Sequence, residues 1–247
     1  MVSSPLPLDA SPIRFGTDGW RGILGVDITV ERLLPVAVAA AQELAHQAPE
    51  GLNSRTVVIG YDRRFLAPEL AEVVAAAVRG CDLEPLLTDT AVPTPACSWA
   101  VVERQSLGAL VITASHNPPE WLGLKIKGPF GGSVEGTFTA AVERRLAAGG
   151  ITAPVAGRCE RFDGRGEHLA GLRTKLDLKA LTTGLRAMGL HVFVDPMHGS
   201  AAGCVADLLG DDAKDLITEI RTNRDPLFGG CAPEPLAPHL GELIAAL

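Results

Sequence analysis

Aromatic residues are scarce in this chain: one tyrosine, three tryptophans and seven phenylalanines among 247 residues. Its cores must therefore be built from Val, Leu, Ile and Ala, and a 47% hydrophobic content suffices for folded domains and excludes a disordered chain. Paired cysteine motifs are lacking. Cys81, Cys97, Cys159, Cys204 and Cys231 are scattered, odd in number and without C-x-x-C spacing. That argues against a disulfide framework or zinc site and predicts reduced thiols in a cytoplasmic protein. No apolar run approaches the ~18 residues that span a bilayer, so no membrane partner is expected. Residues 1–12, rich in Ser and Pro, lack a basic start followed by a long apolar run; they read as a flexible N-terminal arm and not as a signal peptide. Positive charge is in deficit, 22 Lys and Arg against 29 Asp and Glu, for a formal net charge of −7. With no Lys/Arg-rich block to offset that excess, no nucleic-acid partner is expected. An anionic small molecule stays open, because a site needs only local positive charge.

What is present is an alternation of strand and helix signals, in a length that holds about two domains. The pattern predicts a helix over 29–46 with Thr29 as its N-cap, a strand at 57–60, and a helix over 67–79 with Pro68 in its first turn and Gly80 after its end. A strand at 86–88, a helix opened by Pro93-Thr94-Pro95, a strand at 110–113 and a helix over 138–148 follow. The glycine-rich stretch 15–25 reads as loop. Such alternation is the signature of an α/β layer fold. The irregular segment 151–166 marks a boundary between a first domain at 13–155 and a second at 165–247. The second carries a helix over 169–186, strands at 190–195 and 216–220, a helix over 201–209 and a helix starting at 240, which is thin for an independent core.

Four stretches carry chemistry-bearing residues. After the apolar run Gly108-Ala109-Leu110-Val111-Ile112 comes Thr113-Ala114-Ser115-His116-Asn117-Pro118, where a buried strand delivers a serine to an exposed turn enforced by Pro118 and Pro119. A serine needs a base, a metal or prior phosphorylation to react, and the G-x-S-x-G pattern of serine hydrolases is missing. Phe15-Gly16-Thr17-Asp18-Gly19-Trp20-Arg21-Gly22 sets Arg21 among glycines, where backbone can approach a ligand closely and a guanidinium can meet phosphate oxygens. It is not a P-loop. Gly60-Tyr61-Asp62-Arg63-Arg64 lies at a strand-to-helix turn, which aims amides at an anion, with Arg64 as reinforcement and Asp62 as its orienting partner. Lys125 stands ten residues past Ser115 on a short strand. Singly, each has an ordinary structural reading: a chain reversal, a glycine loop, a surface ion pair, a solvated lysine.

In this order, FGTDGWRG, GYDRR and TASHNP with its following lysine resemble the α-D-phosphohexomutase family. The resemblance continues through Asp195-Pro196-Met197-His198-Gly199-Ser200, Arg224-Asp225-Pro226 and Pro233-Glu234-Pro235. It implies two consecutive three-layer α/β domains with mixed sheets, the second incomplete. It implies a phosphate carried on Ser115, donated to a hexose phosphate and regained through a bisphosphate intermediate. The net reaction interconverts hexose 1-phosphate and hexose 6-phosphate, with hexose 1,6-bisphosphate as activator. Arg21, Lys125 and His116 would stabilise charge or move the hydroxyl proton, with acid/base work open between Lys125 and His116. Arg64 and Asn117 would bind phosphate.

The family also implies Mg²⁺, held by the Ser115 phosphate and three aspartates of a D-x-D-x-D-R loop. That loop is absent; Gly210-Asp211-Asp212-Ala213 has the wrong spacing and precedes the Pro-Glu-Pro segment that the loop should follow. Leu122 stands where the family usually has Asn. The leading expectation is a piece of a longer mutase with little or no activity alone. The alternatives are a short paralogue that binds sugar phosphates or regulates without catalysis, and a chain active by itself or completed by a separate chain. An exposed core would favour self-association.

Overall fold

The computed structural model describes residues 9–16, 19–149 and 152–247. The expected N-terminal arm falls mostly outside the described residues. The first unit is a six-stranded sheet in the order β1-β5-β4-β2-β3-β6. Its strands are β1 (Trp20–Ile23), β2 (Thr56–Tyr61), β3 (Glu84–Thr88), β4 (Gly108–Ile112), β5 (Trp121–Lys127) and β6 (Glu160–Phe162). β4, β2, β3 and β6 run parallel, while β5 is antiparallel to both β4 and β1, so the sheet is mixed. Side chains alternate across it. Val57, Ile59, Leu110 and Ile112 join one core with α1 (Val30–His46), α2 (Ala67–Gly80) and α4 (Gly136–Ala148). Val58, Leu86, Ala109 and Val111 join another with α3 (Thr94–Glu103). Helices on both faces make three layers, the arrangement that buries parallel strands completely.

Local chemistry explains the helix starts. Thr29 caps α1 by accepting the Arg32 amide, and proline occupies the first turns of α2 and α3. Gly80, expected beyond α2, is its last residue.

Three expectations are corrected. The stretch 15–25 is not wholly loop, since β1 lies within it, paired Trp20 to Leu124 through Ile23 to Trp121. The segment 151–166 contains β6, which extends the first sheet by pairing with β3. The helix expected over 169–186 is two, α5 (Gly164–Lys175) and α6 (Leu178–Ala187). Asp163 and Asp177 each accept the amide three residues on and start a new helix.

The second unit pairs β7 (Val192–Val194) with β8 (Ile217–Glu219) in parallel; the mixed character belongs to the first sheet. It also holds α7 (Cys204–Leu209) and α8 (Gly241–Ala246). α6 buries none of its residues, and Leu181, Met188, Leu190 and Ile244 are exposed. All five cysteines are free thiols. Among the described residues no helix is long and apolar enough to cross a membrane.

Candidate active site

β4 is wholly buried, and the chain leaves it through buried Thr113 and Ala114 before emerging at exposed Ser115. Ser115 has φ +58, the left-handed region that a residue with a Cβ seldom enters. Its neighbours over-determine that conformation. The Ser115 amide donates to Thr113 Oγ1 at 2.9 Å, and the Thr113 hydroxyl donates onward to Asp62 Oδ2 at 2.6 Å. Asp62 follows β2, and its other oxygen accepts the Arg64 amide at 3.0 Å. Burial pushes the Asp62 carboxyl up, opposed by the Arg64 charge and the Thr113 hydroxyl.

Arg64 is 1% exposed. Its Nη2 donates to the carbonyls of Ser115 and Asn117 at 2.9 and 2.7 Å, and its Nη1 to those of Pro118 and Trp121 at 2.8 and 3.1 Å. Its Nε lies 3.3 Å from Asp62 Oδ2. Both terminal guanidinium nitrogens thus donate inside the turn, while buried Nε makes an ion-pair contact with Asp62 and, among the described residues, no hydrogen bond. The expectation that Arg64 binds phosphate is corrected: here it clamps the serine turn. Of the Arg-Arg doublet, the neighbouring Arg63 lines the cavity instead.

Arg21, on β1, donates to Asn117 Oδ1 at 3.0 Å, which joins two expected site residues. Gly19, just before β1, lets the chain approach the β5 backbone closely. A Cβ there would lie 2.5 Å from the Leu124 carbonyl oxygen, and its φ is +111. Lys125 sits on β5 opposite Val111 of β4, 7% exposed. His116 is half exposed, its Nε2 3.8 Å from Glu234 Oε1 in the second unit. Leu122 is fully buried in the first core, where an Asn would be costly.

Ser115, His116 and Lys125 line one cavity of about 410 Å³, closed by Ser200, Phe228 and Pro233 of the second unit. A larger cavity of about 710 Å³, between Glu72 and Arg161, shares no lining residue with it and lacks a comparable set of reactive groups. Three contacts fasten the units beside the serine turn. Arg63 Nη1 donates to the Thr222 carbonyl at 2.7 Å, Arg224 Nη2 donates to the Arg64 carbonyl at 3.2 Å, and Phe228 stacks on Arg64. Sequence reasoning missed Thr113, Arg63 and Phe228. Only the doublet carried a signal, since adjacent residues at a strand end face opposite ways.

Among the described residues, no group of three or more His, Cys, Asp or Glu side chains is placed to hold a metal ion. Asp62 is already engaged by Thr113 and Arg64, and Asp211 pairs with Lys214. These residues do not form a Mg²⁺ site.

Residues 12–150 match the family described as phosphoglucomutase/phosphomannomutase, alpha/beta/alpha domain I. Phosphoglucosamine mutase from Synechococcus sp. (strain RCC307) is 32% identical over 210 residues, covering 84% of this chain and 43% of its own length. The enzyme of that name from Mycobacterium ulcerans is 34% identical over 188 residues, covering 76% of this chain and 41% of its own. A crystal structure described as a "putative phosphomannomutase" from Thermus thermophilus superposes with a TM-score of 0.83 at 33% identity, over 96% of this chain and 52% of that one. The Paramecium phosphoprotein pp63/parafusin shares the fold, with a TM-score of 0.76 at 17% identity, over 94% of this chain and 48% of its own. The chain spans less than half the length of these curated relatives. Because that family's domain matches residues 12–150, more than half of the 247 residues, the chain belongs to the phosphoglucomutase/phosphomannomutase family.

Proposed function

We propose that this chain carries the phosphoserine half-site of a phosphohexomutase, with a hexose phosphate as its partner molecule. The observation that supports this best is Ser115 itself, exposed at the end of a buried strand, held left-handed, and sharing a cavity with Lys125. Strained backbone of this kind persists only where surrounding contacts enforce it, and it gathers at reactive sites.

Phosphoserine 115 then donates its phosphoryl group to a hydroxyl of the bound hexose phosphate. The bond from phosphorus to Ser115 Oγ breaks and a bond from phosphorus to the sugar oxygen forms. The sugar hydroxyl gives up its proton to a base, and the departing serine oxygen gains one from an acid. Lys125 and His116 are the groups for that proton traffic. Lys125, nearly buried, feels the developing charge more strongly; His116 is freer to move. The product is a hexose bisphosphate, and the reverse step with its other phosphate regenerates phosphoserine. Phosphoryl transfer depends mainly on positioning and charge neutralisation. Arg21, through Asn117, holds one side of the turn, and Arg64 holds its carbonyls.

The test is mass spectrometry of the chain after incubation with glucose 1,6-bisphosphate and Mg²⁺, beside Ser115→Ala, with turnover of glucose 1-phosphate followed in parallel. One phosphate on Ser115, absent from the alanine variant, is the expected result. Full turnover by the 247-residue chain alone is expected to be low or nil, because its described residues form no metal-binding cluster. Sugar-phosphate binding that survives Ser115→Ala with no phosphorylation of the native chain would instead support a non-catalytic binding module. Exposed Leu181, Met188 and Ile244 support self-association or a covering partner chain.

A further inference from the structure

One carboxylate stands behind both peptide groups of Ser115. Asp62 directly follows β2, and its amide donates to the carbonyl of Ile112, the last residue of β4, at 3.1 Å. Thr113 directly follows β4 and is 4% exposed, and its amide donates to the Gly123 carbonyl of β5 at 3.1 Å. Both backbones thus belong to the sheet, and their side chains carry its rigidity out to the turn. A carboxylate can only accept, so the Thr113 hydroxyl proton points at Asp62 Oδ2, 2.6 Å away. That leaves the lone pairs of Thr113 Oγ1 to the Ser115 amide, 2.9 Å away. The other Asp62 oxygen accepts the Arg64 amide, and Arg64 Nη2 donates to the Ser115 carbonyl. Thr113 therefore fixes the peptide plane before Ser115 and Arg64 the plane after it. With both planes set at φ +58, the Cα–Cβ bond has one direction and only rotation about it remains to Oγ. Asp62 and Thr113 line the same cavity as Ser115. A bare carboxylate there would repel a phosphate, and the buried Arg64 charge, with Nε 3.3 Å from Asp62, offsets it.

We propose that Asp62 and Thr113 are positioning residues for phosphoryl transfer at Ser115, acting through the serine's amide to aim its Oγ. The inference rests on the phosphohexomutase reading above. Transfer needs the attacking and leaving oxygens in line with phosphorus, so a small rotation of the Ser115 peptide lowers the rate and leaves sugar-phosphate binding nearly as it was.

The test is the rate of Ser115 phosphorylation by glucose 1,6-bisphosphate with Mg²⁺, measured over a range of bisphosphate concentrations. In that step Ser115 Oγ bonds to phosphorus and the bond from phosphorus to one sugar oxygen breaks. The serine proton passes to the site's base, the sugar oxygen gains one, and a glucose monophosphate leaves. Thr113→Val keeps the shape and removes the hydroxyl. It should lower the maximal rate roughly ten- to a hundredfold and move the half-saturating concentration by less than about twofold. Thr113→Ser, which keeps the hydroxyl, should recover most of the rate. Asp62→Asn can turn an N–H toward Thr113 Oγ1 in competition with the Ser115 amide, and should slow the reaction in the same direction. The double variant Thr113→Val/Asp62→Asn should lose less than the product of the two single effects, because both act through one bond. Equal losses in Thr113→Val and Thr113→Ser, or a raised half-saturating concentration at an unchanged maximal rate, would overturn the proposal. Hydrogen exchange reads the grip directly: in Thr113→Val the Ser115 amide should lose protection while the amides of β4 keep theirs, and a Ser115 amide that stays protected rejects it. If thermal melting shows that Thr113→Val fails to fold, Asp62→Asn and Thr113→Ser decide: a slow Asp62→Asn beside a near-native Thr113→Ser supports the pair, and native rates in both reject it. If the native chain takes no phosphate, the phosphohexomutase reading falls, and the exchange of the Ser115 amide alone judges the pair.

Discussion

The guanidinium carbon of Arg64 lies 5.0 Å from the centre of the Phe228 ring. Arg64 belongs to the first unit and grips four carbonyls of the serine turn; Phe228 belongs to the second and is 3% exposed. A desolvated cation over an aromatic face contributes about 2 kcal/mol. The stack therefore couples the seating of the second unit to the geometry of Ser115. Arg64→Lys replaces a fork by a point charge and strands several buried carbonyls. It should cost roughly 3 kcal/mol in denaturant unfolding and slow Ser115 phosphorylation at least tenfold. Phe228→Leu should cost about 1–2 kcal/mol with a smaller slowing, and Phe228→Tyr should restore most of it. Unchanged phosphorylation in Arg64→Lys would show that the clamp is not needed for reactivity.

Gly60, next to last in β2 and two residues before Asp62, packs against α3. A Cβ at this position would lie 2.2 Å from Cys97 Sγ, with Val92 next at 3.5 Å. Cys97 is fully buried, its thiol pushed up to about 12 by that burial, so it acts as filler and not as a nucleophile. Gly60→Ala should destabilise by about 1–3 kcal/mol through overpacking. Cys97→Ala alone should leave a small void. The double variant should recover more than half the loss of Gly60→Ala, a coupling read from a double-mutant cycle. Additive losses would place the strain elsewhere.

The alternation that sequence makes visible is the part of this fold that periodicity controls. β2, β3 and β4 and the helices α1 to α4 have apolar runs or capped amphipathic stretches long enough to show. β1 did not show, because its four residues include Gly22 and follow a glycine-rich approach. β6 did not, because Glu160-Arg161-Phe162 is a charged edge strand that acquires its identity from pairing with β3. The break between α5 and α6 was written in Asp177, which caps the start of α6 as Asp163 caps that of α5. At the site, the serine turn was legible from its prolines. The division of labour between Arg63 and Arg64 was not, since it depends on which way each side chain leaves the end of β2.

Acid should loosen the segments on either side of Arg21 before it reaches the rest of the first sheet. Glu143 on α4 accepts the Phe15 amide at 2.8 Å, which holds its carboxyl below the ordinary 4.5, with Arg14 adding to the effect. For Asp27, burial pushes upward, but amides of Ile23 and Ser11 and the Arg32 charge outweigh it and hold the carboxyl below 3.8. A carboxylate held below its ordinary value contributes fully above that value, and the contribution fades as pH falls through the lowered one. Hydrogen exchange at the Phe15 and Ile23 amides should therefore be pH-independent in its protection above about pH 5 and lose protection below about pH 4. Glu143→Gln should abolish the acid dependence at Phe15 and leave that at Ile23. Equal loss of protection throughout the first sheet over the same range would mean that global unfolding, and not these two anchors, sets the response.

Asp195 and Arg221 form the most buried ion pair of the second unit, with side chains 2% and 8% exposed. Arg221 Nε donates to Asp195 Oδ1 at 2.9 Å, and its Nη2 reaches the other oxygen and the His239 carbonyl. Asp195 also accepts the Met197 amide at 3.0 Å. This one carboxylate thus organises the left-handed Met197-His198 turn that leads to Ser200. Breaking a buried pair strands the remaining charge and costs about 3–5 kcal/mol. Few large apolar side chains are buried around it, so this loss falls on a unit with little reserve. Asp195→Asn should free the His198 amide, which donates to the Arg221 carbonyl at 2.9 Å, to rapid hydrogen exchange, while the amides of β2 and β4 stay protected. That outcome would support a division of the chain near 155–165 into units of separate stability. Loss of protection in both units together would mean that Arg63, Arg224 and Phe228 bind them into one cooperative body, and the proposed division would have to be abandoned.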